Sequence, residues 1–269
     1  MANQLKELLG LDVPILQGGM AWISEANLAS AVSNAGGAGI ISTGGRTTEY
    51  TRDEICRCRS LTNRPFGVNV MLMAPNKEEI VDVICEEKPA FVTLGAGNPV
   101  PYFEKLHAAG VKVIPVVPSV KLAKRVEEKG ADAIVVEGME AGGHIGVLST
   151  MPLMEQVIPE VSLPVIMAGG FGDGRGLAAA LLMGAAGVQM GTRFLVAQEC
   201  DRFGSNACGQ RVVLVEVVGG RRGKVGARGG DVQDLLGARI HIGCLQRPGF
   251  GGSGLRTSIQ SCVHTGANA

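Results

Sequence analysis

Eight short apolar runs, each followed by a glycine-bearing loop, begin near Val13, Gly39, Phe66, Phe91, Val111, Ala133, Val165 and Val188. That rhythm repeats strand, loop and helix eight times, the arithmetic of an α/β chain closed into a (β/α)8 TIM barrel. The runs VPILQGG, GIIST, FGVNVML, FVTLGAG, VKVIPVV, DAIVVEG, PVIMAGG and GVQMGT are near-continuously apolar rather than alternating. Strands covered on both faces have that composition. Between them, Ser24 is expected to cap the helix EANLASAVSNA, which stops at Gly36. Ser119 caps VKLAKRVEEK, which stops at Gly130, and two further helices stop at Gly110 and Gly184. An open doubly wound sheet gives the same alternation. Eight units, with no G-x-G-x-x-G after the first strand, favour closure.

A chain of 269 residues suits one such barrel. Its 25 basic residues balance 25 acidic ones, so no global field steers it to nucleic acid or an acidic membrane. No apolar run is long enough for a membrane span, and the polar N-terminus lacks a signal-peptide core, so a cytoplasmic protein is expected. The seven cysteines are scattered, and Cys56-x-Cys58 is too tightly spaced for zinc; reduced thiols and no metal site are expected.

The chain changes character near Cys200. The 69 residues after it hold 15 of the 40 glycines, eight arginines and one lysine. Segments such as GGRRGKVGARGGD have neither helical nor strand period, and only RVVLVEVV reads as a strand. The expected division is therefore a barrel over residues 1–199 and an aberrant, largely disordered Gly/Arg-rich tail over residues 200–269. Such a tail is either naturally disordered or the product of a lost reading frame, since glycine and arginine enrichment with lysine depletion is what an alternative frame of GC-rich DNA encodes.

Barrels of this kind place their chemistry in the loops that follow the strands. Gly18 and Gly19, after the first strand, either admit a flat ligand or simply turn the chain. Asn69 is a polar side chain within an apolar strand. It must be hydrogen-bonded, either in the core or toward a ligand. The segment EGMEAGGHIG, residues 137–146, concentrates two carboxylates, four glycines and His144 at a strand's carboxyl end. His144 exchanges a proton near neutral pH without assistance. The last two loops, AGGFGD from Ala168 and QMGTR from Gln189, suit phosphate oxygens through glycine N–H groups and the Thr192 hydroxyl.

Together QGGMAW, GVNVML, GAGNP, IPVVPSV, EGMEAGGHIG, AGGF and QMGTRF resemble the FMN-dependent enoyl-acyl-carrier-protein reductases, which share a flavin-barrel superfamily with the nitronate monooxygenases (2-nitropropane dioxygenases). The resemblance covers residues 1 to about 200. It implies one FMN at the barrel mouth, with Gly19, Met20 and Ala21 flanking the isoalloxazine and Asn69 and Glu137 facing it. Gly142 and Gly143 would lie along the cofactor. Ala168, Gly169, Gly170, Met190, Gly191 and Thr192 would hold its phosphate end, and His144 would be the catalytic residue over the flavin. The implied reaction reduces a trans-2-enoyl thioester on acyl carrier protein with NADH or NADPH, a step of fatty-acid elongation. The alternative is oxidation of nitronates with oxygen on the same residues. A third expectation is an inactive product, because in the resembled family the stretch after the eighth strand builds the last helix and a small substrate-binding domain. Exposed barrel helices make a homodimer a further expectation.

Overall fold

The computed structural model describes residues 4–143, 146–200, 213–217 and 240–243. A short helix α1 (Gln4–Leu9) precedes eight strands: β1 (Ile15–Gln17), β2 (Gly39–Ser42), β3 (Phe66–Met71), β4 (Phe91–Gly95), β5 (Lys112–Val117), β6 (Ile134–Glu137), β7 (Val165–Ala168) and β8 (Gly187–Met190). All neighbours pair in parallel, in the order β1-β8-β7-β6-β5-β4-β3-β2. The circle is closed by one bridge, Leu16 to Ala38. There the ladder is too short, and the Gln17 side chain extends it. Its Oε1 accepts from Ile40 N at 3.1 Å and its Nε2 donates to Ile40 O at 3.3 Å. The expected barrel is therefore present.

The apolar runs are explained by two cores. Leu16, Ile40, Phe91, Ile114, Val135 and Ile166 fill the barrel interior, and α1 plugs its N-terminal end with Leu5 and Leu9. Their strand neighbours Ile15, Ile41, Val68, Val92, Val113, Ile134 and Met167 face outward against the helices. Each buried aliphatic side chain contributes about 1.5–3 kcal/mol relative to exposure. The helices between strands are α2 (Ala26–Asn34), α3 (Thr48–Leu61), α4 (Lys77–Glu87), α5 (Phe103–Ala108), α6 (Val120–Glu128), α7 (Thr150–Val157), α8 (Gly174–Leu182) and α9 (Thr192–Leu195). The glycines expected to stop helices, Gly36, Gly110, Gly130 and Gly184, all have positive φ.

Ser119 caps α6 as expected, accepting from Leu122 N at 3.3 Å. Ser24 does not cap α2. The N-cap is Glu25, whose side chain makes no cap bond, and the Glu54 carboxylate on α3 takes Ala26 N at 2.6 Å instead. Ser24 is occupied within the preceding loop, where its Oγ accepts from Met20 N at 2.8 Å and donates to Gly18 O at 3.2 Å.

Beyond the barrel, β9 (Val213–Val217) falls within the expected strand RVVLVEVV and pairs antiparallel with β10 (Ile240–Gly243), which the sequence pattern had not suggested. The rest of the expected 200–269 tail, after Cys200, lies outside the described residues. No described helix is long and apolar enough to cross a membrane.

Candidate active site at the barrel mouth

Side chains alternate along each strand, so the polar residues that face inward at the carboxyl ends form one ring. Asn69 on β3 pairs in register with Thr93 on β4 and donates from Nδ2 to its Oγ1 at 2.9 Å. Asn69 is thus hydrogen-bonded and half-buried, on the inward face of β3 near the strand's carboxyl end. Gly19 must be glycine because Asn69 is so close; a Cβ there would lie 2.5 Å from Asn69 Cβ. Gln189 on β8 packs less tightly against Gly18, 3.2 Å from where a Cβ would be. Neither Thr93 nor Gln189 was singled out in the sequence. The strand register with Asn69 and the two-residue period were the signal that could have found them.

Glu137 ends β6 opposite Ala168 and is half-buried. Burial alone pushes its carboxyl up to about 7 from 4.5, with no cation among the described residues to offset it. Near neutrality this group is shared between a neutral donor and a carboxylate.

The loop after β6 is fastened at Glu140, whose carboxylate accepts from Thr150 N at 2.8 Å and Thr150 Oγ1 at 2.7 Å. The Thr150 hydroxyl also lies 3.1 Å from Gly169 O. One carboxylate therefore ties the segment carrying Gly142 and Gly143 to the start of α7 and to the loop after β7. These bonds, the Thr150 side chain first, hold the Glu140 carboxyl below its ordinary value. In the β7 loop, Gly169 and Gly170 take φ values of +106° and +78°, backbone conformations that favour glycine. Asp173 then caps α8, accepting from Arg175 N at 2.9 Å.

The β1 and β8 loops meet. Gly18 N donates to Met190 O at 2.8 Å, and Met20 Sδ lies 3.5 Å from the Cβ position of Gly191. Gly19, Met20, Gly191 and the exposed Thr192 hydroxyl are thus neighbours in space or in chain on one arc of the rim. Ala21 is exposed beside them. Ala168 and Met190 point their side chains into the inner and outer cores respectively, so they can offer a ligand only backbone. Gly142 and Gly143 are exposed, and a Cβ on either would meet nothing within 4 Å. His144 lies outside the described residues.

A family model for nitronate monooxygenase matches residues 2–81 and 76–216. Among curated proteins, the chain is 43% identical over 199 residues to the (3aS,4S,5R,7aS)-5-hydroxy-7a-methyl-1-oxo-octahydro-1H-indene-4-carboxyl-CoA dehydrogenase of Rhodococcus jostii, covering 74% of this chain and 56% of that one. It is 36% identical over 246 residues to a protein of Staphylococcus aureus described as "Probable nitronate monooxygenase", covering 74% and 69%. Among solved structures, FabK from Thermotoga maritima superposes with a TM-score of 0.73 at 50% identity, covering 75% of this chain and 65% of FabK. A nitroalkane oxidase from Streptomyces ansochromogenes gives 0.68 at 30% identity, covering 73% and 69%. The chain spans a little over half the length of the first of these curated relatives.

Proposed function

The chain belongs to the nitronate monooxygenase family of oxidoreductases, and from that premise we propose that it is an FMN-dependent, nicotinamide-driven reductase of trans-2-enoyl thioesters. The observation that carries the proposal is the mouth itself: Asn69 and Glu137 face inward on one ring, beside glycine loops that follow the neighbouring strands β1, β8, β7 and β6. The motifs shared with enoyl-acyl-carrier-protein reductases and the 50% identity to FabK support the reductase reading.

The residues present fit a bound FMN. Gly19 packed on Asn69, Gly169 packed on Thr150, and open space beside Gly142 and Gly143 leave bare backbone around the mouth, where a flat ligand can approach closely. Gly19, Met20 and Ala21 would flank the ring, with Asn69 and Glu137 against its polar edge. The backbone of Ala168, Gly169, Gly170, Met190 and Gly191, with the Thr192 hydroxyl, would take the phosphate. Bound FMN would supply two-electron chemistry, taking a hydride from NADH or NADPH and passing it to the thioester's β-carbon. His144 would deliver the proton to the α-carbon or donate to the thioester carbonyl as negative charge develops there. Glu137, poised near neutrality, would offer the ring edge either a donor or an acceptor. Acyl carrier protein is the proposed carrier of the thioester.

The test is anaerobic turnover of crotonyl-CoA with NADH. Stoichiometric loss of both supports the reductase. The family match and the Staphylococcus aureus relative favour a second reading, nitronate oxidation. Oxygen uptake with a nitronate, and no thioester reduction, would select it.

A further inference from the structure

The chain's single tryptophan, Trp22, sits on the same loop as Gly19 and Met20, at the site face of the barrel. It is 51% exposed, high for an indole. It also takes a left-handed backbone conformation, φ +66°, which costs a bulky residue and persists only where the surroundings enforce it. Those surroundings are specific. The Arg46 guanidinium lies 4.5 Å from the Trp22 ring centroid and 4.2 Å from that of Tyr50, so the cation is layered between two aromatic rings. Arg46 is held in turn by an ion pair to Glu25, and its carbonyl accepts from Asn76 Nδ2 at 3.0 Å. Gly45 leaves room for the indole; a Cβ there would stand 2.5 Å from Trp22 Cζ2. One ring face is thus covered by a paired cation, and the residue holds a strained backbone where it still meets solvent.

Backbone strain and a cation stacked beneath an exposed aromatic contribute nothing to the barrel's core. They suit a surface that must present a flat ring in one orientation. We propose that Trp22 is a stacking platform for the adenine ring of a nucleotide bound at the barrel mouth. The identity of that nucleotide rests on the reductase reading, in which adenine arrives either with the nicotinamide donor or with a coenzyme A thioester. Adenine fits better than an acyl chain because the indole offers a flat face, and base–aromatic stacking needs no further hydrogen-bond pattern.

Because Trp22 is the sole tryptophan, its emission reads the platform directly in the flavin-loaded, full-length protein. Titration with 5′-AMP is expected to change that emission saturably. Trp22→Gly, which relieves the backbone strain, is expected to raise KM for one partner by about tenfold more than it lowers kcat, with Trp22→Phe recovering most of the loss. A rise for NADH alone assigns the platform to the donor; a rise for crotonyl-CoA alone assigns it to the thioester. Emission unmoved by 5′-AMP, or both KM values unmoved in Trp22→Gly, overturns the proposal. Saturable 5′-AMP binding in a protein whose flavin NADH cannot reduce would keep the platform and reject the reductase.

Discussion

At the scale of single residues, Trp22 and Glu137 are each held by the fold in a state that the free residue disfavours. The left-handed backbone at Trp22 predicts that Trp22→Gly is more stable than Trp22→Ala by about 1 kcal/mol, since alanine loses the indole yet keeps the strain. Thermal unfolding of the pair checks this, and equal melting temperatures would contradict it. Glu137 has a folded-state pKa near 7 against an ordinary 4.5, so the native state holds its proton more tightly than the unfolded chain. Its contribution to stability is fully present below about 4.5 and is lost as pH rises through about 7. Glu137→Gln should remove that slope and be the more stable protein above neutrality, measured by urea unfolding across the window. Asn69 was legible in the sequence because a lone polar residue in an apolar strand has few explanations. Trp22 was not, because its importance lies in a φ angle and in Arg46, 24 residues on, which no local pattern links to it.

At the scale of elements, caps expose what a sequence can and cannot show. Ser119 follows the rule, and Ser119→Ala should cost about 1 kcal/mol with no effect on flavin affinity. Ser24 stands at an equally good cap position but is buried under the β1 loop, bonded to Gln17, Gly18 and Met20. Tertiary bonds there outcompete the local cap, so Ser24→Ala should weaken flavin binding as well as stability. The Glu140 clasp links three elements through Thr150, and glycine spacing alone gave no hint of it. Glu140→Ala should raise the FMN Kd about tenfold, the lower end of what a charge-assisted hydrogen bond contributes. Because its pKa is depressed, the clasp is fully present above the ordinary carboxylate pKa and is lost as pH falls through the lowered value. Fluorescence titration of FMN reads both effects, and an affinity indifferent to Glu140 would show the clasp to be merely structural.

At the scale of the molecule, eight apolar runs with glycine-rich endings were enough to specify a closed barrel, whose carboxyl-end face carries the candidate site. Closure depends on a detail the runs do not contain, the Gln17 side chain standing in for missing ladder bonds between β1 and β2. The β9–β10 ribbon was half legible, since IHIG is too short and too polar at its centre to register as a strand on its own. The mouth is proposed to hold FMN and to accept reducing equivalents from a nicotinamide. The most direct test is the visible spectrum of the purified chain, recorded anaerobically before and after adding NADH. A flavin band that bleaches on addition is the expected result; a folded protein with no flavin band, or a band that NADH leaves unchanged, would contradict that reading.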